Sequence, residues 1–216
     1  MSNMNKQINP IFENYKRFPI TYSLILLCIV VYIFSFFLYG EEMNAYEALT
    51  LGAYNPIYVY VEHQYWRLLT SHFIHFGLLH IVLNCYSLYG LGIFIESVLK
   101  KKKYLIMLLI SAISTTGLGY LLFLMNGYGI DTVSGGISGI IFGLIGGLGA
   151  LALKYKNIYM DIFRELLPNV LVMLLISFIA PSISLSGHVF GLIGGFVGTL
   201  IVLYKKDDFQ KTRVIH

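Results

Sequence analysis

Residues 133–153 read VSGGISGIIFGLIGGLGALAL, a stretch without a single charge. An α-helix rises ~1.5 Å per residue and the hydrocarbon core of a bilayer is ~30 Å thick, so this length and composition predict a membrane-spanning helix. Within it Gly135, Gly139, Gly143 and Gly147 recur every fourth residue. A second stretch, residues 187–204 (GHVFGLIGGFVGTLIVLY), carries the same spacing at Gly187, Gly191 and Gly195. Lipid gives helices no hydrophobic reason to associate, and stripes of small residues let their backbones approach closely instead. The two stripes are expected to pair with each other, the alternative being that each packs on some other helix. Paired, the helices run parallel. Ser138 precedes a stripe glycine and His188 follows one. Rotations of ~100° in opposite senses on facing parallel helices point both side chains to the same side of the seam.

Working outward, further apolar runs lie at 20–39, 71–95 and 104–125, and a shorter one at 166–180 between Pro168 and Pro181. These six runs predict an all-α polytopic membrane protein. The composition agrees: of 216 residues 57% are hydrophobic and 12% charged, half the charge of a soluble domain, which is about 25%. Mean hydropathy is +0.73. A cytoplasmic globular enzyme, a disordered regulator and a nucleic-acid binder are excluded, and the lipid bilayer is the expected partner. The first run is too long for a signal-peptide core and no small-residue cleavage site follows it, so it is expected to remain as an anchor. Cys28 and Cys85 both lie in apolar runs and read as small core residues rather than a disulfide framework.

Fourteen of the fifteen basic residues fall on one side of these spans: Lys6, Lys16 and Arg17; Lys100 to Lys103; Lys154, Lys156 and Arg164; Lys205, Lys206, Lys211 and Arg213. Only Arg67 falls on the other, among Glu41, Glu42, Glu47, Glu62 and Asp131. By the positive-inside rule both termini are cytoplasmic. The composition fits a bacterial inner membrane. The loop 40–65 is long and rich in tyrosine, with Tyr54, Tyr58, Tyr60 and Tyr65 leading to Trp66, which suits the lipid–water boundary. The chain divides into a short cytoplasmic segment (1–19) with no room for a folded domain, one six-span domain (20–204) and a cytoplasmic tail (205–216).

Polar groups inside a span are costly and mark function by default. Here they are His72, His75, His80 and Asn84 in the second run, Ser138 in the fourth and His188 in the sixth. Counted from Lys100, Lys154 and Lys205, the residues Asn84, Ser138 and His188 all lie roughly 24–26 Å above the cytoplasmic edge, a shallow site below the outer surface, with His80 a turn higher. A serine hydroxyl needs a base to become a nucleophile, and histidine serves near neutrality. No carboxylate shares this depth, because Asp131 is in a loop and Glu96 is near the inner end of the second span; the pair is a dyad at most. Phe142, one turn below Ser138, either stacks on His188 or is an ordinary apolar-facing ring. Donors for an oxyanion are available from the Asn84 amide, the His80 ring and the Ser138 backbone N–H. Gly136 and Gly139 would let a substrate backbone come close. Ser134, Ser182, Ser184 and Ser186 would form a polar mouth for water. A metal site on His72, His75 and His80 lacks the carboxylate or cysteine that zinc geometry needs, so no metal or cofactor is expected.

The string Tyr65-Trp66-Arg67-Leu68-Leu69-Thr70 followed by His75, His80 and Asn84, the motif Gly136-Ile137-Ser138-Gly139, and His188 with Gly191 and Gly195 together resemble rhomboid intramembrane serine proteases. The resemblance covers roughly 52–149 and 186–198. It implies Ser138 as nucleophile, His188 as general base, and His80 and Asn84 in the oxyanion hole, with Gly136, Gly139, Phe142, His75 and Gly191 in support. It also implies cleavage of transmembrane helices of other proteins, a loop 40–65 partly in the membrane, and a gate and cap formed by the fifth span and residues 181–186. Where some relatives have tyrosine, Phe142 lacks the hydroxyl. A catalytically silent adaptor that binds transmembrane helices is the other reading, but such proteins usually lack the serine or the histidine, and both are present.

Overall fold

The computed structural model describes residues 10–179 and 184–204; Lys6, Pro181, Ser182, Lys205, Lys206, Lys211, Arg213 and the tail lie outside the described residues. The elements in chain order are α1 (Pro10–Arg17), α2 (Pro19–Tyr39), α3 (Ala45–Leu51), α4 (Pro56–Tyr60), α5 (Arg67–Thr70), α6 (Leu78–Ser87), α7 (Ile93–Asn126), α8 (Ser138–Lys154), α9 (Lys156–Ile179) and α10 (Leu185–Leu203), with one π turn joining α6 to α7. Among the described residues four continuous stretches are long and apolar enough to cross a membrane: Pro19–Tyr39, Leu78–Asn126, Lys156–Ile179 and Leu185–Leu203. The second is two passes. Lys100 takes φ 63 and ψ 162, and beyond it the chain folds back until the Tyr104 hydroxyl lies against Gly92. The 17 residues of α8 extend only ~25 Å. Together these account for the six expected passes.

Three boundaries differ from the expectation. The second pass begins at Leu78, not at 71. Ser71–Phe73 is a single 3-10 turn, and Ile74 and Gly77 are extended. This segment is held by tertiary bonds that compete with helix: Thr116 Oγ1 donates to the Leu68 carbonyl (2.7 Å) and His72 Nε2 to the Ala112 carbonyl (3.0 Å). His72 and His75 therefore share no helical face. The fourth pass begins at Ser138 rather than 133, because Gly136 has φ +110 and gives its N–H to the Ser71 carbonyl (2.9 Å). The fifth pass is not short and proline-bounded: α9 has 24 residues and runs through Pro168.

The glycine stripes of α8 and α10 face each other in parallel. A methyl group at Gly191 would strike the Gly139 carbonyl, one at Gly195 the Gly143 carbonyl, and one at Gly147 would lie 2.9 Å from Thr199 Oγ1. The register rises together along both helices. The second limb of α7 closes the same seam through Ser111, which donates to the Gly191 carbonyl (3.2 Å), and Thr115, which sits on Gly139. At the C-terminal ends of the two helices Lys154 Nζ donates to the Leu203 carbonyl. α8 is thus buried along nearly its whole length, whereas α9 leaves much of its surface exposed.

Two buried ionisable residues organise opposite ends. Glu96 accepts the N–H groups of Ile20 (3.2 Å) and Thr21 (2.9 Å), capping α2 from another helix where Phe18 supplies no side-chain cap and where the helix dipole favours a carboxylate. Arg67 donates to Gln64 Oε1 (2.7 Å) and to the carbonyls of Leu49 (2.8 Å) and Ala53 (2.7 Å), and lies over the rings of Tyr58 and Trp66. Burial lowers its pKa from the ordinary value. It gathers the loop 40–65 around itself. That loop is tied in turn to the chain before α8: Tyr54 and Ser134 exchange backbone bonds (2.8 and 3.0 Å), and Asn55 Nδ2 donates to the carbonyls of Ile130 and Thr132.

Backbone contact at the seam makes a sharp expectation. Gly195→Val has no space to occupy and should cost at least about 3 kcal/mol. Gly90→Ala, at a site with nothing within 4 Å, should change stability by less than about 0.5 kcal/mol. Thermal unfolding in detergent micelles reads both.

Candidate active site

Ser138 is the first residue of α8, so its backbone N–H and the two that follow have no acceptor within the helix, and no side chain caps them. Gly136, with φ +110, turns the chain into that helix, a conformation open to glycine because it lacks a Cβ. His188 sits in the first turns of α10, where Ser184 sets the start of the helix by accepting the Gly187 N–H (3.1 Å). The parallel pairing of α8 and α10 then brings His188 Nε2 to 2.9 Å from Ser138 Oγ. His188 is 6% exposed. The Phe142 ring stacks on its imidazole with centroids 4.2 Å apart and planes 17° from parallel.

His80 and Asn84 arrive from α6. A methyl group at Gly136 would lie 2.7 Å from His80 Nε2 and 3.4 Å from Asn84 Nδ2, so both donors lie beside the turn that presents Ser138. Asn84 is 7% exposed and its Nδ2 has no hydrogen-bond partner among the described residues. His75 donates from Nδ1 to the Phe73 carbonyl (3.2 Å), since a carbonyl only accepts, and meets the edge of the His80 ring at 5.0 Å between centroids. His72 points to Ala112 and not to His75 or His80. Gly139 and Gly191 lie against each other in the helix seam. Ser134 and Ser184 are engaged in the bridge to Tyr54 and the cap of α10.

One polar contact was not foreseen. Ser177, on α9, lies 2.8 Å from His188 Nδ1 and is itself 4% exposed. Its signal in the sequence is slight, a lone hydroxyl in the last two turns of an apolar run. Its spacing of eleven from His188 means nothing until the turn between α9 and α10 is known.

The arrangement places a hydroxyl within hydrogen-bond reach of a buried imidazole at a helix N-terminus, with the His80 and Asn84 side chains beside the turn that leads into that helix. A family model, the Rhomboid domain, matches residues 62–205. The chain belongs to the rhomboid family. Among its relatives, Rhomboid protease GluP of Bacillus subtilis (strain 168) is 30% identical over 167 residues, covering 77% of this chain and 30% of that protein. Rhomboid protease GlpG of Salmonella typhi is 29% identical over 132 residues (59% of this chain, 42% of that protein). Rhomboid protease GlpG of Yersinia pestis (strain Pestoides F) is 32% identical over 128 residues (59% and 41%). The rhomboid chain thus spans well under half the length of these relatives. The matched segment holds His80, Asn84, Ser138 and His188, while α2 and most of the loop 40–65 lie before it.

Gly136 offers a direct test of this packing. Its Cβ-bearing variant Gly136→Ala meets both a positive φ and the His80 ring, whereas Gly127→Ala meets a positive φ (76) in open space. The backbone term alone is about 1 kcal/mol, so Gly127→Ala should lose about that much stability and Gly136→Ala at least about 2 kcal/mol. Equal losses, measured by thermal unfolding, would mean that His80 does not press on this turn.

Proposed function

We propose that this rhomboid chain is an intramembrane serine endopeptidase that cuts the transmembrane helices of other membrane proteins, with Ser138 as nucleophile and His188 as general base. The observation that carries the reading is the 2.9 Å contact between His188 Nε2 and Ser138 Oγ at the N-terminal end of the buried helix α8. The relatives GluP and GlpG are rhomboid proteases, which supports the same class.

In this reading Ser138 Oγ attacks the scissile carbonyl carbon while its proton passes to His188 Nε2. The negative charge that develops on the carbonyl oxygen is met by the Ser138 backbone N–H, the Asn84 amide and the His80 ring N–H. Asn84 Nδ2 suits this role because it is held buried with no acceptor among the described residues. Collapse of the tetrahedral intermediate breaks the C–N bond, and His188 returns the proton to the leaving amine. Water then attacks the Ser138 ester with His188 again taking the proton, which frees the acid and restores the hydroxyl. Phe142, stacked on His188, holds the ring and favours its transient cation. Gly136 permits the substrate backbone to approach the donors.

The same proposal places the chain as a multi-pass protein of a bacterial inner membrane. The distribution of fourteen basic residues puts both termini in the cytoplasm and the site below the outer surface. The six-span domain is residues 20–204, flanked by the segment 1–19 and the tail 205–216.

Ser138→Ala or His188→Ala should lower cleavage of a single-span substrate by at least ~10³-fold with folding intact. Asn84→Ala should lower it ~10²-fold through kcat. The assay is purified protein in detergent with gel detection of both fragments. Undiminished cleavage by Ser138→Ala would sink the assignment.

A further inference from the structure

We propose that Ser177 is a positioning residue that holds the His188 imidazole in the one tautomer able to take a proton from Ser138; this rests on the reading of Ser138 and His188 given above. A hydroxyl has one proton and two lone pairs. Ser177 Oγ lies 2.7 Å from the Met173 carbonyl, and a carbonyl can only accept, so the Ser177 proton is committed there. The 2.8 Å contact to His188 Nδ1 must then run the other way: Nδ1–H donates and Ser177 Oγ accepts. A neutral imidazole carries one N–H, so Nε2 is left with its lone pair facing Ser138 Oγ at 2.9 Å. The opposite tautomer would aim an N–H at Ser138 and would leave the buried Ser177 oxygen opposite a second lone pair.

Ser177 thus fills the position that a carboxylate holds in a three-residue site, orienting the ring and accepting Nδ1–H while the imidazolium forms. It does so without a charge, which suits a group inside the apolar zone, where a carboxylate would be costly. The hydroxyl is fixed by its own bond to the carbonyl four residues back, a geometry that serine and threonine both adopt in helices. Three helices therefore supply one relay: Met173 and Ser177 from α9, His188 from α10, Ser138 from α8.

The test compares Ser177→Ala, Ser177→Thr and Ser177→Val in the full chain in detergent. Thr and Val have the same shape, so a difference between them reads the hydroxyl and not packing. Three quantities are measured: kcat and KM on a single-span substrate, the rate at which a fluorophosphonate labels Ser138, and the ¹⁵N shifts of the His188 ring. Those shifts are assigned by their loss in His188→Ala. Ser177→Ala and Ser177→Val should lower kcat and the labelling rate about 10–100-fold with KM changed less than about 2-fold, and the ring should become a mixture of tautomers. Ser177→Thr should stay within a few-fold of the unmodified protein and keep Nδ1 protonated. The proposal is overturned if Ser177→Val keeps Nδ1 protonated, or if it labels as fast as Ser177→Thr. Failure of the unmodified protein to label at Ser138 would defeat the protease reading instead, and the ¹⁵N shifts would still decide whether Ser177 sets the tautomer.

Discussion

Two helix backbones touching without side chains between them set the geometry of this molecule. Once Gly139 and Gly143 of α8 lie against Gly191 and Gly195 of α10, neither helix can slide or roll without driving backbone into backbone. In lipid there is no hydrophobic gain to hold them, so dispersion and close fit carry the association. Ser111 adds a hydrogen bond to a seam carbonyl, and Thr115 and Thr199 fill the remaining space. The one-residue offsets of Ser138 and His188 from that seam convert its rigidity into a fixed distance between a hydroxyl and an imidazole. A site whose members stand on separate helices needs such a seam, since an error of 1 Å in the pairing would separate the hydroxyl from the imidazole.

The surrounding structure solves a second problem, that of placing irregular backbone and charge where water is scarce. Arg67 is satisfied by carbonyls and aromatic faces, and Glu96 by the free N–H groups of a helix start. Each charge is buried and thereby satisfies backbone groups that would otherwise be unpaired away from water. The consequence reaches the site. Arg67 orders the loop 40–65, that loop grips residues 130–134 through Tyr54 and Asn55, and those residues lead directly into the turn at Gly136 that presents Ser138.

How much of this was legible depended on whether a contact followed from period or from path. The pairing of α8 with α10, its parallel sense and the convergence of Ser138 with His188 followed from a repeat of four and a one-residue offset, because helical geometry maps spacing onto direction. The stacking of Phe142 followed from the same periodicity. The helix starts at Leu78 and Ser138 did not, because tertiary bonds from Thr116, His72 and Ser71 outcompete the intrahelical ones and hydropathy cannot register them. Nor did the passage of α9 through Pro168: a proline costs one internal hydrogen bond, and a membrane helix tolerates that when the rest of its backbone is paired.

Ser177 meets His188 Nδ1 where a carboxylate would otherwise stand. A carboxylate is the usual orienting group in water-exposed sites, where its own solvation is cheap. At the depth of His188 an ionised side chain would need partners of its own, each a further polar group in lipid. A hydroxyl back-bonded to its own helix brings its partner with it: the Met173 carbonyl already exists, already points along α9, and needs no new residue. The medium therefore changes which side chain best fills the third position, and a reading of sequence in a membrane gains by asking which hydroxyls sit one turn beyond a carbonyl they can use.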